Sequence, residues 1–235
     1  MSHEDGSLIA IVVAAGSGRR FGGDKLFLSL DGRPVLAWSL RVLEETPEVS
    51  RVVLVLSPDN RDAGRRLVDH HHFLKVSSIC IGGVRRQDSV RNGLAEASGA
   101  TWVAVHDGAR PFVTRDMIQR GLTLARRTGA AIAAVPVKDT VKIVGEANVI
   151  ERTPPRNNLW CAQTPQIFRF ETLANAYEAV GTADVTDDAE LLERVGVPVG
   201  VFEGSYTNLK ITTPDDLALA RVHARALRSG RGRSA

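Results

Sequence analysis

Leu8-Ile9-Ala10-Ile11-Val12-Val13-Ala14-Ala15 runs directly into Gly16-Ser17-Gly18-Arg19-Arg20-Phe21-Gly22-Gly23-Asp24-Lys25. The first part is apolar without alternation, which fits a β-strand covered on both faces. The second part is a glycine-rich loop at the strand's carboxyl end. Glycines let backbone N–H groups turn toward an anion without obstruction by a Cβ. Arg19, Arg20 and Lys25 add three cations within seven residues. Strand and loop together predict an α/β fold whose first turn receives a polyphosphate.

Two common phosphate loops fail on particular residues. A dinucleotide fold needs G-x-G-x-x-G, and position 21 is Phe. It also needs an acidic residue ending the second strand, but residues 51–56 run into Ser57-Pro58. A Walker loop needs Gly-Lys-Ser/Thr, and Lys25 stands between Asp24 and Leu26. The remaining reading is a loop that folds over a nucleoside triphosphate and lends it Arg and Lys side chains.

Composition narrows the class. The chain has 235 residues, 43% of them hydrophobic and 24% charged, as ordinary globular proteins do. A net charge of +3 is too mild to argue for nucleic acid but does not repel an anionic metabolite. Of 30 basic residues only five are lysines, at 25, 75, 138, 142 and 210. Where arginine is preferred almost everywhere, the retained lysines are candidates for chemistry. Cys80 and Cys161 sit in no spaced motif, so neither a disulfide framework nor a zinc site is expected. The polar start, Met1-Ser2-His3-Glu4-Asp5-Gly6, does not read as a signal peptide, and no apolar run reaches membrane-spanning length. Cytoplasmic localisation with no membrane partner is the expectation.

Further strands are expected at 51–56, 75–81, 101–105 and 130–137, with helices from 35, over 61–69, from 86 to about 97, and over 114–127. His70-His71-His72 reads as a solvated helix end rather than a metal site. Gly82-Gly83 opens a second glycine turn after a strand, where open α/β sheets bind ligands, and would let backbone approach a flat base, with the Ser89 hydroxyl nearby. The fourth strand ends in His106-Asp107-Gly108-Ala109-Arg110-Pro111. A carboxylate there suits a magnesium ion, which takes one or two carboxylates and fills its shell with phosphate and water. Residues 138–144 and 149–153 alternate about Gly145-Glu146-Ala147-Asn148, a hairpin signature, and Pro154-Pro155 begins a stiff turn. Helices follow at 171–180, 188–195, with Asp187 as N-cap, and from 214. Strands are expected at 197–203 and 208–211, and a disordered Arg/Gly/Ser-rich tail at about 229–235.

In this order the blocks resemble the 2-C-methyl-D-erythritol 4-phosphate cytidylyltransferase family across residues 8 to 225. The carriers are Ala14-Ala15-Gly16-Ser17-Gly18-Arg19-Arg20 with Lys25; Gly82-Gly83 with Arg86 and Ser89-Val90; His106 to Pro111; and Lys138-Asp139-Thr140-Val141-Lys142. Arg156-Asn157-Asn158-Leu159-Trp160, Gln163-Thr164-Pro165-Gln166, Thr186-Asp187-Asp188 and Asn208-Leu209-Lys210-Ile211-Thr212 complete them. The family's usual Pro-Lys-Gln is replaced here by Asp24-Lys25-Leu26, and Thr207 stands where some members are acidic.

The resemblance implies one nucleotidyltransferase domain over 1–235. Its expected form is a Rossmann-like, mostly parallel sheet flanked by helices, with an inserted β-hairpin dimerisation arm at about 138–160. It implies that the phosphate of methylerythritol phosphate attacks the α-phosphorus of CTP, in non-mevalonate isoprenoid biosynthesis; ribitol 5-phosphate is the alternative acceptor. Arg20, Lys25 and Lys210 are then catalytic. Ala14, Ala15, Gly16, Ser17, Gly18, Gly82, Gly83, Ser89 and Asp107 bind CTP, and Asp107 holds Mg²⁺. Arg110, Thr140, Arg156 and Thr186 bind the acceptor, with Arg156 entering the site of the other subunit of a homodimer. The attacking phosphate is already ionised, so no catalytic histidine is expected.

Overall fold

The computed structural model describes residues 6–16, 21 and 24–231. In chain order they form β1 (Leu8–Ala14), β2 (Ser29–Leu30), β3 (Arg33–Pro34), α1 (Val35–Glu45), β4 (Val49–Leu56), α2 (Arg61–His71), β5 (Val76–Ile81), α3 (Arg86–Glu96) and β6 (Trp102–Asp107). Then come α4 (Arg115–Thr128), β7 (Ala130–Pro136), β8 (Ile143–Val144), β9 (Ile150–Arg152), β10 (Trp160–Arg169), α5 (Phe170–Val180), α6 (Asp188–Arg194), β11 (Gly200–Glu203) and α7 (Pro214–Arg231). The main sheet has the order β11-β7-β10-β6-β1-β4-β5. β1 is parallel to β4 and β6, and β10 is antiparallel to both of its neighbours, β6 and β7.

The unbroken apolar runs are explained by burial on two sides. Leu8, Ala10, Val12 and Ala14 of β1 join a cluster with Leu36 and Leu40 of α1 and Met117 and Leu122 of α4. The alternate residues Ile9 and Ile11 join Val90 of α3, Leu173 of α5 and Leu192 of α6. β4 divides in the same way, with Leu54 in the first cluster and Val53 and Val55 in the second. The pleat sends successive side chains to opposite faces, so both sets must be apolar. A third cluster of Leu30, Val35, Phe112, Ile211 and Leu217 seats α7 against the first turn of α1.

Caps set the helix starts. Thr114 accepts the Met117 N–H at 3.2 Å, and Asp187 accepts that of Glu190 at 3.0 Å. His70 and His71 end α2, with His71 stacked on Phe73 and His72 left-handed at the cap. Among the described residues no cluster of His, Cys, Asp or Glu could hold a metal by itself, and no helix is long and apolar enough to cross a membrane.

Three features depart from the sequence reading. The segment after the arm is not only a turn: residues 160–169 form β10, in the middle of the sheet. Residues 208–211 form no strand; backbone bonds from Ile211 N to Ala109 O at 2.9 Å and from Asn208 N to Ser205 O at 3.0 Å tie them down. α7 takes in residues 229–231, which were expected to begin a disordered tail. The arm itself contains a hairpin, reduced to the short pair β8 and β9.

Candidate active site

The strand order reverses at β1, which has β4 on one side and β6 on the other. Ligands of open α/β sheets lie outside the carboxyl ends of the strands at such a switch point. Here a cavity of about 710 Å³ opens there, lined by Ala14, Ala15, Gly16, Lys25, Gly83, Arg86, Ser89, Asp107 and Lys210, among others. Lys25 reaches it from a single 3₁₀ turn capped by Asp24, whose carboxylate accepts the Leu26 N–H at 3.1 Å. The Asp24 that departs from the family pattern thus supplies the cap of the turn that presents the lysine.

The second glycine turn forms the facing wall. A Cβ on Gly82 would lie 2.3 Å from the Ala15 Cβ and 2.6 Å from Ser89 Oγ; one on Gly83 would lie 2.3 Å from the Asp88 Cβ. Only glycine lets the two turns approach this closely. The Ser89 hydroxyl accepts the Gly83 N–H at 3.1 Å and donates to the Arg85 carbonyl at 3.2 Å. It therefore braces the turn from within.

Asp107, the last residue of β6, is the electrostatic centre. Its side chain is 10% exposed and meets three cations: Lys210 Nζ at 2.7 Å, Arg86 Nε at 3.2 Å and Arg110 Nε at 3.8 Å. Burial favours the protonated acid, but the charges of Arg86, Lys210 and Arg110 overcome it and hold Asp107 well below the usual carboxylate range. Arg86 continues to Asp188, with Nη1 2.8 Å from Oδ2, and the Tyr177 hydroxyl donates to Asp188 Oδ1 at 2.6 Å.

His106 is buried beneath this carboxylate. Its Nε2 lies 3.1 Å from the Arg110 carbonyl, which can only accept, so Nε2 carries the proton. Nδ1 then accepts the Thr164 hydroxyl at 3.1 Å, and the same oxygen accepts the Asp107 N–H at 3.0 Å. Burial, chiefly, lowers the imidazole from 6.5 to about 4, so it is neutral and braces the loop.

A second cavity, about 220 Å³, adjoins the first and is lined by Arg110, Ala162, Gln163, Thr164, Gln166, Thr186 and Asp187. Arg86, Asp107 and Lys210 line both cavities. Arg110 is held by the Asn208 carbonyl at 2.8 Å, and the Thr186 hydroxyl donates to Glu190 at 2.8 Å. Asp216 accepts from Thr212 and Thr213, fixing the start of α7 just after Lys210.

The structure therefore brings most of the sequence candidates together. Ala14, Ala15, Gly16, Lys25, Gly83, Ser89, Asp107 and Lys210 line the larger cavity, with Gly82 packed behind its wall. Arg110 and Thr186 line the smaller one. Ser17, Gly18 and Arg20 lie outside the described residues. Thr140 and Arg156 are exposed on the arm and line neither cavity; Arg156 donates to the Lys138 carbonyl. Of the five lysines, 25 and 210 line these two cavities and the others do not. Lys75 ties α1 to β5, Lys138 sits over the Tyr206 ring, and Lys142 donates to Thr153. Arg86, Gln163, Gln166 and Asp187 were not assigned to the site from sequence. The signal for Arg86 was its place three residues after Gly83, where a helix N-terminus follows a strand.

Comparison with known proteins gives a consistent result. The family model "IspD: 2-C-methyl-D-erythritol 4-phosphate cytidylyltransferase" matches residues 8–226. A 2-C-methyl-D-erythritol 4-phosphate cytidylyltransferase of Dehalococcoides mccartyi is 47% identical over 214 residues, covering 91% of this chain and 94% of its own length. That of Alkaliphilus oremlandii is 41% identical, covering 94% and 96%. Among solved structures, 4-diphosphocytidyl-2C-methyl-D-erythritol synthase of Anaerococcus prevotii superposes with a TM-score of 0.84 at 29% identity, covering 94% of this chain and 97% of its own. The Thermus thermophilus cytidylyltransferase gives 0.76 at 34% identity, covering 92% and 98%.

Proposed function

The chain belongs to the 2-C-methyl-D-erythritol 4-phosphate cytidylyltransferase family, and from this we infer its reaction. It transfers the cytidylyl group of CTP to 2-C-methyl-D-erythritol 4-phosphate, releasing pyrophosphate and forming CDP-methylerythritol for isoprenoid biosynthesis. Ribitol 5-phosphate is not favoured as acceptor, since the relatives are named for methylerythritol phosphate. The observation that carries the mechanism is the wall of Arg86, Asp107 and Lys210 common to two adjoining cavities. CTP occupies the larger one and the polyol phosphate the smaller, so the two phosphates meet at that wall.

The difficulty of the reaction is charge, because one anion must approach another. An acceptor phosphate oxygen bonds to the α-phosphorus, and the bond from that phosphorus to the bridging oxygen breaks. Pyrophosphate leaves with the electron pair. Catalysis of such displacements is chiefly positioning and electrostatic stabilisation. Lys25 and Arg20 face the triphosphate from the first turn, and Lys210 faces the α-phosphate from the opposite side. The amides from Ala15 to Gly18 cradle the phosphates, while Gly82, Gly83 and Ala14 shape the cytosine slot. Gln163 and Asp187 offer polar groups to the polyol, beside Arg110 and Thr186. Thr140 and Arg156 act from the partner subunit of a homodimer, reached by the arm.

Asp107 fits a divalent ion. It is ionised, stands at a strand end beside the cavity, and is a lone carboxylate of the kind that binds Mg²⁺ together with substrate phosphates. Bound there, Mg²⁺ would neutralise triphosphate charge. The cytoplasm is the proposed compartment, where free Cys80 and Cys161 stay reduced.

The test is pyrophosphate release from CTP with each polyol phosphate, with Mg²⁺ and with a chelator. Release with methylerythritol phosphate and Mg²⁺ alone is expected. Equal release in chelator would reject the metal assignment, and preference for ribitol phosphate would reject the acceptor.

A further inference from the structure

One buried carboxylate lines neither cavity and has no part in the transfer described above. Asp188, in the first turn of α6, is fully buried; Oδ1 accepts the Tyr177 hydroxyl at 2.6 Å, and Oδ2 is ion-paired with Arg86 Nη1 at 2.8 Å. Arg86 Nε donates in turn to Asp107 Oδ1 at 3.2 Å. The line Tyr177–Asp188–Arg86–Asp107 thus runs from the packed side of the sheet to the wall where the two cavities meet.

A stabilising role alone explains this poorly. Desolvation offsets most of the attraction in a buried ion pair, so such pairs are weak sources of stability. The Arg86 side chain also keeps 26% of its surface exposed, and it lines both cavities. Without an anchor, an arginine next to Asp107 could turn its fork onto that carboxylate bidentately, and each charge would cancel the other. Asp188 holds Nη1 while Nε donates to Asp107, so the guanidinium is pinned between two carboxylates rather than turned wholly onto one. The guanidinium keeps further N–H donors in a fixed plane. Burial and Asp188 both raise the Tyr177 phenol, so it stays a donor and fixes the rotamer of Asp188.

Resting on the cytidylyl-transfer reading, we propose that Arg86 is a further catalytic residue, contacting the phosphates where the two cavities join, and that Asp188 with Tyr177 is the positioning pair that aims it.

A double-mutant cycle on the full-length enzyme tests this, with pyrophosphate release and thermal melting measured for each variant. Arg86→Gln is expected to lower kcat/KM by roughly 10²-fold, as for loss of one transition-state donor. Asp188→Asn keeps the shape and is expected to lower kcat by about 10-fold while KM for CTP changes little, because it acts only through the aim of Arg86. In the Arg86→Gln background, Asp188→Asn should cost nothing further. Multiplying losses, or losses that track the melting temperature, would overturn the positioning role; a wild-type rate for Arg86→Gln would overturn the catalytic one. If Asp188→Asn does not fold, Tyr177→Phe leaves both charges in place and is expected to lower kcat by about 3-fold with the same non-additivity. A wild-type enzyme that releases no pyrophosphate would instead sink the parent reading, so the two failures are distinct.

Discussion

His106 makes a quantitative claim on stability. It is neutral because it is buried; with the charges of Arg110 and Lys210 added, burial outweighs Asp107 and the Arg110 carbonyl, which favour the charged ring, and lowers its pKa to about 4. In the unfolded chain it titrates near 6.5. Between these values the unfolded chain binds the extra proton and the folded one does not. Stability from this residue is therefore complete above pH 6.5 and falls as pH drops toward 4. At 1.36 kcal/mol per pKa unit the loss is about 3 kcal/mol, a large part of the ~5–15 kcal/mol that holds a typical domain. The perturbation is His106→Gln, whose amide N–H can reach toward the same carbonyl but cannot titrate. Urea denaturation of both proteins from neutral pH to about pH 4 gives the difference in unfolding free energy. Losses from Asp107 and Asp216 are common to both proteins and cancel. The stability advantage of wild type over the variant should shrink by about 3 kcal/mol across that range. Parallel curves would refute a neutral, buried imidazole.

Other outcomes follow from the site. Lys25→Ala should lower turnover by ~10²-fold or more, read as pyrophosphate release; an unchanged rate removes Lys25 from the chemistry. Gly82→Ala pushes a methyl to 2.3 Å from Ala15 and must displace the first turn, so KM for CTP should rise by ~10-fold or more, while an unaltered KM would mean that the two turns do not shape the nucleotide slot. Inactive Lys25→Ala and Arg156→Ala subunits, mixed and shown to form heterodimers, should recover part of the activity; none would place Arg156 outside the partner's site.

Legibility in the sequence followed range. The apolar runs of β1, β4, β6 and β7 and the glycine turns are local signals, and they located the carboxyl edge of the sheet together with Lys25 and Asp107; Lys210 was marked by the scarcity of lysine and by the family resemblance. β10 was hidden because its middle reads Gln163-Thr164-Pro165-Gln166, polar residues around a proline that argue for a loop. All three polar side chains are buried and held by distant partners: Gln163 by the Ser205 carbonyl, Thr164 by His106 and the Asp107 N–H, and Gln166 through Nε2 by Asp187. The same holds for Arg86, whose anchor Asp188 stands on a later helix. The strand expected at 208–211 does not form, because Asn208 is buried to bind the Thr164 carbonyl rather than to pair in a ladder.

The direction of that hidden strand explains why the arm and the two cavities are neighbours. β7 ends at the carboxyl edge with Pro136, and antiparallel β10 begins there, with Trp160 opposite Pro136. Everything between them, the hairpin and the Arg156 turn included, must leave and return at the ligand-binding edge. Bonds at its feet, Val137 N to Leu159 O at 2.9 Å and the Tyr206 hydroxyl to Pro136 O at 2.7 Å, hold it there. On the other side of β10, Gln166 is paired with Val105, which carries Thr164 to Asp107. A parallel strand in this place would need a crossover and would begin at the opposite edge, far from Asp107. One reversed strand thus supplies a wall of the smaller cavity, the oxygen that braces Asp107 and a foot of the arm, so a change in its register would disturb acceptor binding, the carboxylate and the arm together.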